Sequence, residues 1–325
     1  MNTEAQEEII DPSREIIDCH HHLWDRPGSR YMVDEFLGDA QDGHRVVQSV
    51  FIQCRTGYKH GTLDSPALET TAIAHATHAN QGQASTVRVG AGIVGYADMR
   101  GGAGIAPLLD AHIASGCGRF KGVRHIVSWA DGPEFQVEGY PTSPGMMSTP
   151  EFGAALQQLA VRDLSFEAMV YHTQLGELAT IARTHDDTRF VLNHIGLPLG
   201  IGAFSSLKDQ AFADWRAGLQ AVAGCENVYI KLGGMGMHML GLPLDSETGP
   251  LTSQRIAEAY RPYVDECVSA FGADRCMFES NFPVDRRRCD YRTLWNAFKR
   301  IASSYTEDEK DMLFSQTARH CYGLE

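Results

Sequence analysis

Eight short runs rich in Val, Ile and Phe, most of them followed by an amphipathic stretch, constrain the fold of this chain more than any other feature. The runs are EIIDCHH (15–21), VVQSVFIQC (46–54), RVGAGIVGYA (88–97), FKGVRHIV (120–127), LSFEAMVY (164–171), RFVLNHIG (189–196), NVYIKLGG (227–234) and RCMFESNF (275–282). Candidate helices lie at 66–81, 103–115, 150–161, 174–184, 207–223 and 252–271, and two more at 290–303 and 306–320 follow the last run. A strand-then-helix rhythm builds a parallel sheet, because a parallel neighbour is reached only through a crossover connection. Eight such units in about 300 residues predict a closed (β/α)8 TIM barrel. The weakest unit is the one containing residues 23–45, which show little helical pattern. No linker composition or internal repeat divides the chain, so residues 1–325 read as one domain with 1–14 as an N-terminal tail. Two loop-like stretches, 128–149 and 235–251, directly follow candidate strands and therefore belong at the C-terminal mouth, where such barrels keep their sites. They read as substrate covers or as tolerated surface insertions.

Side chains on a strand alternate between its two faces. In DCHHH (18–22), Asp18, His20 and His22 are thus expected to point inward, and Cys19 and His21 outward. Two imidazoles two residues apart can grip one metal ion, with Asp18 supporting them from beneath. An isolated HxH is equally at home at an ordinary strand end. Further histidines at strand ends, His125, His172 and His194, make a convergent set, whereas His75, His78 and His112 fall in candidate helices.

The formal net charge of −13 would repel a phosphate backbone, which argues against nucleic acid as a partner. An anionic small molecule remains possible where arginines gather. Arg286, Arg287 and Arg288 after the last strand are one such run, readable as a carboxylate or phosphate site or as a solvated loop entering a helix. No apolar run is long enough to span a membrane. The acidic N-terminus lacks the pattern of a signal peptide, and the eight scattered cysteines include no CxxC pair. The expectation is a cytoplasmic protein without disulfides.

The strand-one DxHxH, KGVRH (121–125), LSFEAMVYHTQL (164–175), FVLNHIGLP (190–198) and CMFESNFPVD (276–285) resemble, in order and spacing, the amidohydrolase superfamily. The likeness is to its amidohydrolase-2 branch, which holds sugar lactonases and pyrone-dicarboxylate lactonase, and it runs from about Ile16 to the end of the chain. The resemblance implies His20 and His22 as metal or substrate ligands, His172 as their strand-five partner and third metal ligand, and His194 as a lining catalytic residue. It implies Arg124 as a contact to a substrate oxygen or carboxylate, with His125, Arg55 and Lys121 as further substrate-binding candidates. Where the branch carries an Asp on strand eight, this chain has Asn281, which cannot act as a carboxylate base. Glu279 on the same strand face is expected to supply that carboxylate or to form a buried ion pair with an arginine, and Asp285 is a second candidate.

The implied activity is hydrolysis of a lactone or related ester, on a cyclic or carboxylated small molecule, by a homo-oligomer. One version uses a single Zn2+, and another activates water directly with no tightly bound metal. The alternatives are non-oxidative decarboxylation of an aromatic or enoic acid, and a barrel that binds a ligand without catalysis.

Overall fold

A computed structural model describes residues 7–57, 65–81, 87–244 and 251–325. The first six residues of the expected tail and residues 245–250 of the second long loop lie outside the described residues. In chain order the strands are β1 (Glu15–His21), β2 (Trp24–Arg26), β3 (Ser29–Tyr31), β4 (Arg45–Ile52), β5 (Arg88–Gly95), β6 (Phe120–Ile126), β7 (Ser165–Met169), β8 (Phe190–Leu192), β9 (Val228–Leu232) and β10 (Cys276–Phe278). All but β2 and β3 form one eight-stranded parallel sheet in the order β1-β4-β5-β6-β7-β8-β9-β10. The helices are α1 (Val33–Ala40), α2 (Ser65–Ala76), α3 (Ala106–Ser115), α4 (Pro150–Ala160), α5 (Leu175–Thr184), α6 (Lys208–Ala223), α7 (Ser253–Phe271), α8 (Tyr291–Ile301), α9 (Glu307–Asp311) and α10 (Thr317–Tyr322). This is the TIM barrel expected from the strand–helix rhythm.

The seam closes just beyond β10. The Asn281 N–H donates to the His20 carbonyl at 2.9 Å, and the His22 N–H donates to the Phe282 carbonyl at 2.7 Å. The two segments that close the barrel are therefore the same two that carry the candidate chemistry.

The weak unit at 23–45 is a β2–β3 hairpin followed by α1. Alpha-helical periodicity was hard to see there because the helix has only eight residues, includes Gly38, and buries only Phe36 and Ala40. Its Phe36 covers the outside of β1, stacking on His21 with ring centroids 4.1 Å apart.

At the opposite end, the C-terminus plugs the barrel. Ala318, Cys321, Tyr322 and Leu324 pack with Ile17, Cys19, Val50, Ile52 and Val191 from the strands. Burying side chains of this size stabilises by about 1.5–3 kcal/mol each. Among the described residues no helix is long and apolar enough to cross a membrane.

Candidate active site

The end of β1 departs from simple alternation. Asp18 pairs with Ser49 of β4 and His21 with Phe51, so three steps on β1 span two on β4. That is a bulge with one extra residue, and it re-aims the side chains around it. Cys19 joins Ile17 in the interior cluster. His20 also turns to the interior, where it meets Lys231, Arg124 and Glu279. Asp18 and His21 face the helices instead. Contrary to the expectation that it supports the imidazoles from beneath, Asp18 accepts hydrogen bonds from the Ser280 hydroxyl at 2.6 Å and the Tyr291 hydroxyl of α8 at 3.0 Å. It thus pins the segment after β10 to β1. Burial raises its carboxyl pKa to about 6, against the lowering effect of these donors.

His22 re-emerges at the mouth. Its Nδ1 lies 2.8 Å from the Ile52 carbonyl. A carbonyl only accepts, so Nδ1 carries the hydrogen and Nε2 keeps its lone pair.

Glu279 follows β10 and gathers two imidazoles. His194 Nδ1 is 2.6 Å from Oε1, and His20 Nδ1 is 2.7 Å from Oε2. The second contact is close but not aligned as a hydrogen bond, and Oε2 is buried without a hydrogen-bond partner. One ligand atom each from His20, His194 and Glu279 lies within 4.8 Å of the others. The rings of His20 and His194 stand 4.6 Å apart. Burial, reinforced by Lys231 and the neighbouring histidines, holds the His20 pKa well below its ordinary value, so this imidazole is neutral.

Two glycines make the gathering possible. A Cβ at Gly233 would lie 2.4 Å from Glu279 Cγ, and one at Gly234, which has φ +64°, would lie 2.3 Å from His194 Nδ1. No larger residue fits under these side chains. The turn carrying His194 is itself strained, with positive φ at His194, Ile195 and Leu197. For β-branched Ile195 this conformation is a true outlier, of the kind retained where function demands it.

Beneath His20 lies a buried charge network that the sequence analysis missed. Lys231 Nζ is 2.7 Å from Glu167 Oε2 and 3.5 Å from His20 Nδ1. Glu167 also accepts from Asn193 Nδ2 at 2.7 Å and from the Tyr322 hydroxyl. The available signal was a lysine and a glutamate at inward positions of otherwise apolar strands, VYIKL and SFEAM.

Asn281 has φ +54°, and its Nδ2 donates to Asp285 Oδ1 at 3.0 Å. It is thus turned toward Asp285 rather than into the cluster. Asp285 also accepts from the Gly236 N–H at 3.1 Å, and burial pushes its pKa up to about 7. Glu279 makes no arginine ion pair among the described residues; its partners are imidazoles.

The remaining expected residues are dispersed. His172 accepts from the Leu199 N–H at 3.2 Å, packs its ring 5.1 Å from Phe204, and stands outside the His20–His194–Glu279 cluster. His22 is likewise not a member of that cluster. His125 lies on the outward face of β6, between Tyr96 and Phe152, because it immediately follows inward-facing Arg124. Lys121 stands at the start of β6 and reaches the Gly323 carbonyl at 3.3 Å, at the plugged end of the barrel. Arg124 Nη1 lies 3.3 Å from His20 Nε2, and Nη2 donates to the Gln53 carbonyl. Arg55 sits at the mouth with its guanidinium 4.9 Å over the Tyr140 ring.

A cavity of about 750 Å3 opens at this mouth. His22 and Arg124 line its inner end, and Arg124 connects it to His20. Of the long 128–149 loop, Val137, Glu138 and Tyr140 form part of the wall. Phe135 instead packs inward against Tyr171 and Phe204, which lie beyond the ends of β7 and β8.

The fold and site define a TIM-barrel protein with a buried His–His–carboxylate cluster at its C-terminal mouth. Residues 17–324 match the model of the amidohydrolase family. The chain belongs to the amidohydrolase family of hydrolases. It is 31% identical to the protein called "Uncharacterized protein y4mH" of Sinorhizobium fredii, covering 94% of this chain and 98% of that one. It is 25% identical to an L-fucono-1,5-lactonase of Burkholderia multivorans, over 95% of this chain and 96% of that protein. A solved amidohydrolase from Burkholderia multivorans with bound zinc superposes with a TM-score of 0.71 at 24% identity, over 95% of this chain and 99% of the other.

Proposed function

We propose that this protein hydrolyses a lactone or closely related ester at the inner end of the mouth cavity. The observation that carries the reading is the His20–His194–Glu279 cluster, with its unpartnered Glu279 Oε2, set beside Arg124. The likeness to the L-fucono-1,5-lactonase supports a lactone as the substrate class.

The cluster fits a metal ion. Two imidazoles and a carboxylate are a common donor set for zinc, and a buried carboxylate oxygen without a hydrogen bond is stabilised by a cation. The zinc-bound amidohydrolase supports that choice of ion. His20, His194 and Glu279 would hold the zinc ion, which would supply Lewis-acid chemistry there.

The chain's own groups do the rest. Arg124 faces the cavity, braced by its donation to the Gln53 carbonyl, and it stabilises the oxyanion that develops when the lactone carbonyl is attacked. Glu279 takes the place of the usual strand-eight aspartate, and its carboxylate is the group that takes the proton of the attacking water. His22 presents Nε2 as an acceptor and orients a substrate hydroxyl. Asn281 positions Asp285 and takes no part in proton transfer.

The test is hydrolysis of a panel of five- and six-membered sugar lactones, followed by proton release. Turnover that falls by about 10²–10⁴ in Glu279→Gln supports the reading. Absence of turnover across the panel by well-folded, zinc-loaded protein would favour the ligand-binding barrel or the decarboxylase.

A further inference from the structure

The mouth cavity is lined by six arginines, Arg26, Arg30, Arg55, Arg124, Arg286 and Arg287, and by one acid, Glu138. In a chain of formal net charge −13 this concentration of positive charge is against the average. The arginines come from four separate places. Arg26 and Arg30 lie on the β2–β3 hairpin, Arg55 follows β4, Arg124 lies on β6, and Arg286 and Arg287 follow β10. A run of solvated charge would not gather residues this far apart in sequence around one concavity.

The protein's own acids take up part of this positive charge and leave part of it at the rim. Arg30 is ion-paired with Asp34 and Glu35. Arg124 acts electrostatically on the buried Glu69 carboxyl and Arg286 on Asp39, whereas Arg26 and Arg287 form no ion pair among the described residues. Several of the side chains are braced. Arg26 donates to the Cys54 carbonyl at 2.7 Å and lies 4.3 Å over the Trp24 ring. Arg286 lies 5.6 Å over Tyr31, and Arg55 lies 4.9 Å over Tyr140. Glu69 fixes the segment bearing Arg55 by accepting the backbone N–H groups of Cys54 and Thr56 at 2.9 and 2.8 Å. Guanidinium groups held by stacking lose less freedom on binding, and their forks match phosphate and carboxylate oxygens.

We propose that Arg26, Arg286 and Arg287 form an anion subsite at the outer rim of the cavity. The substrate then carries a dianionic arm, a phosphate monoester or a pair of carboxylates, distal to the bond that is hydrolysed. Arg124 serves the reacting end, beside His20, and the rim serves the charged end. The reacting end of this substrate rests on the lactonase reading, whereas the charged end rests on the cavity alone.

The experiment measures binding of inorganic phosphate and of glutarate by calorimetry at low salt, in the wild type and in Arg26→Gln/Arg287→Gln. Both residues are exposed, and thermal melting checks that the double variant is folded. A second variant, Arg286→Gln, tests the rim independently. Phosphate binding that weakens at least about tenfold in the double variant and falls steeply with salt identifies a phosphate arm. The same behaviour with glutarate and not phosphate identifies paired carboxylates. Failure of both probes to bind at millimolar concentration, or binding that both variants leave undiminished, overturns the subsite.

A second arm compares kcat/KM for lactones with and without a charged arm. A wild-type preference for the charged lactone that shrinks in the double variant supports the proposal, and turnover with no such preference overturns it. Arginine-dependent binding of a dianion by a protein that hydrolyses no lactone would sink the lactonase reading and leave the subsite standing.

Discussion

Glu279 Oε1 and His194 Nδ1 meet at 2.6 Å across the barrel mouth, one from the end of β10 and the other from the turn after β8. The contact leaves Oε2 beside His20 with no hydrogen bond of its own. A cation is the natural complement to that oxygen. Protein purified without chelator should therefore contain about one zinc per chain by plasma mass spectrometry. Glu279→Gln and His194→Asn should lose it, and His172→Asn should retain it. Zinc that survives Glu279→Gln but is lost in both His22→Asn and His172→Asn would instead point to the trio expected from sequence.

Arg124 reaches His20 from the cavity side, and in the proposed reaction its role is tied to charge that appears as the carbonyl is attacked. Arg124→Gln should lower kcat/KM for the best lactone by about 10²–10³, mostly in kcat. A change confined to KM would make Arg124 a ground-state binding group only.

Asn281 donates to Asp285, whose buried carboxyl has a pKa near 7 rather than 3.8. Because the folded value is raised, the stability this group contributes is complete below about pH 4 and is lost as pH rises through about 7. Asn281→Asp removes the donor and adds a like charge. It should cost about 1–3 kcal/mol at pH 8 and less at pH 5.5, where the pair shares a proton. Urea denaturation at both pH values checks this, and an equal cost at both would show that the two carboxylates do not interact.

His21 stacks on Phe36 with neither ring nitrogen hydrogen-bonded, and burial pushes its pKa down to about 3. The unfolded chain takes up this proton near pH 6.5, so the contribution is present above that value and is lost as pH falls toward 3. At pH 5 the loss is about 2 kcal/mol. His21→Phe should therefore gain on the wild type by about that amount between pH 7.5 and pH 5. Parallel stability curves would mean that His21 is protonated in the folded protein.

Lys231 and Glu167 form a fully buried ion pair under the site. Lys231→Met leaves Glu167 charged and uncompensated and should cost about 3–5 kcal/mol. Adding Glu167→Gln should recover part of that loss. Denaturant titration of the two variants decides it, and a double variant less stable than Lys231→Met alone would show that Glu167 is needed for its bonds to Asn193 and Tyr322.

The barrel was legible from the chain because its signal is local. Strand β1 runs over 15–21 as expected, and the other seven expected strands fall on observed ones, trimmed by one to five residues. Apolar runs, helical periodicity and the turns between them are written residue by residue. Arg124, His20, His194 and Glu279, which the structure brings together, were likewise candidates from strand-end position and resemblance.

Only the tertiary structure decided which of these side chains meet. Asp18 faces α8 and Cys19 the interior, and one extra residue in β1 after Asp18 turns His20 inward as well, which strict alternation cannot anticipate, because a bulge is set by pairing with β4. The strained turn after β8 and the Gly233–Gly234 gap brought His194 over Glu279, leaving His172 on Phe204. The gathering of arginines from four segments into one cavity depends on barrel closure, which places segments distant in sequence side by side. Residue types and their periodicity are properties of the chain, whereas the approach of one side chain to another is a property of the closed sheet.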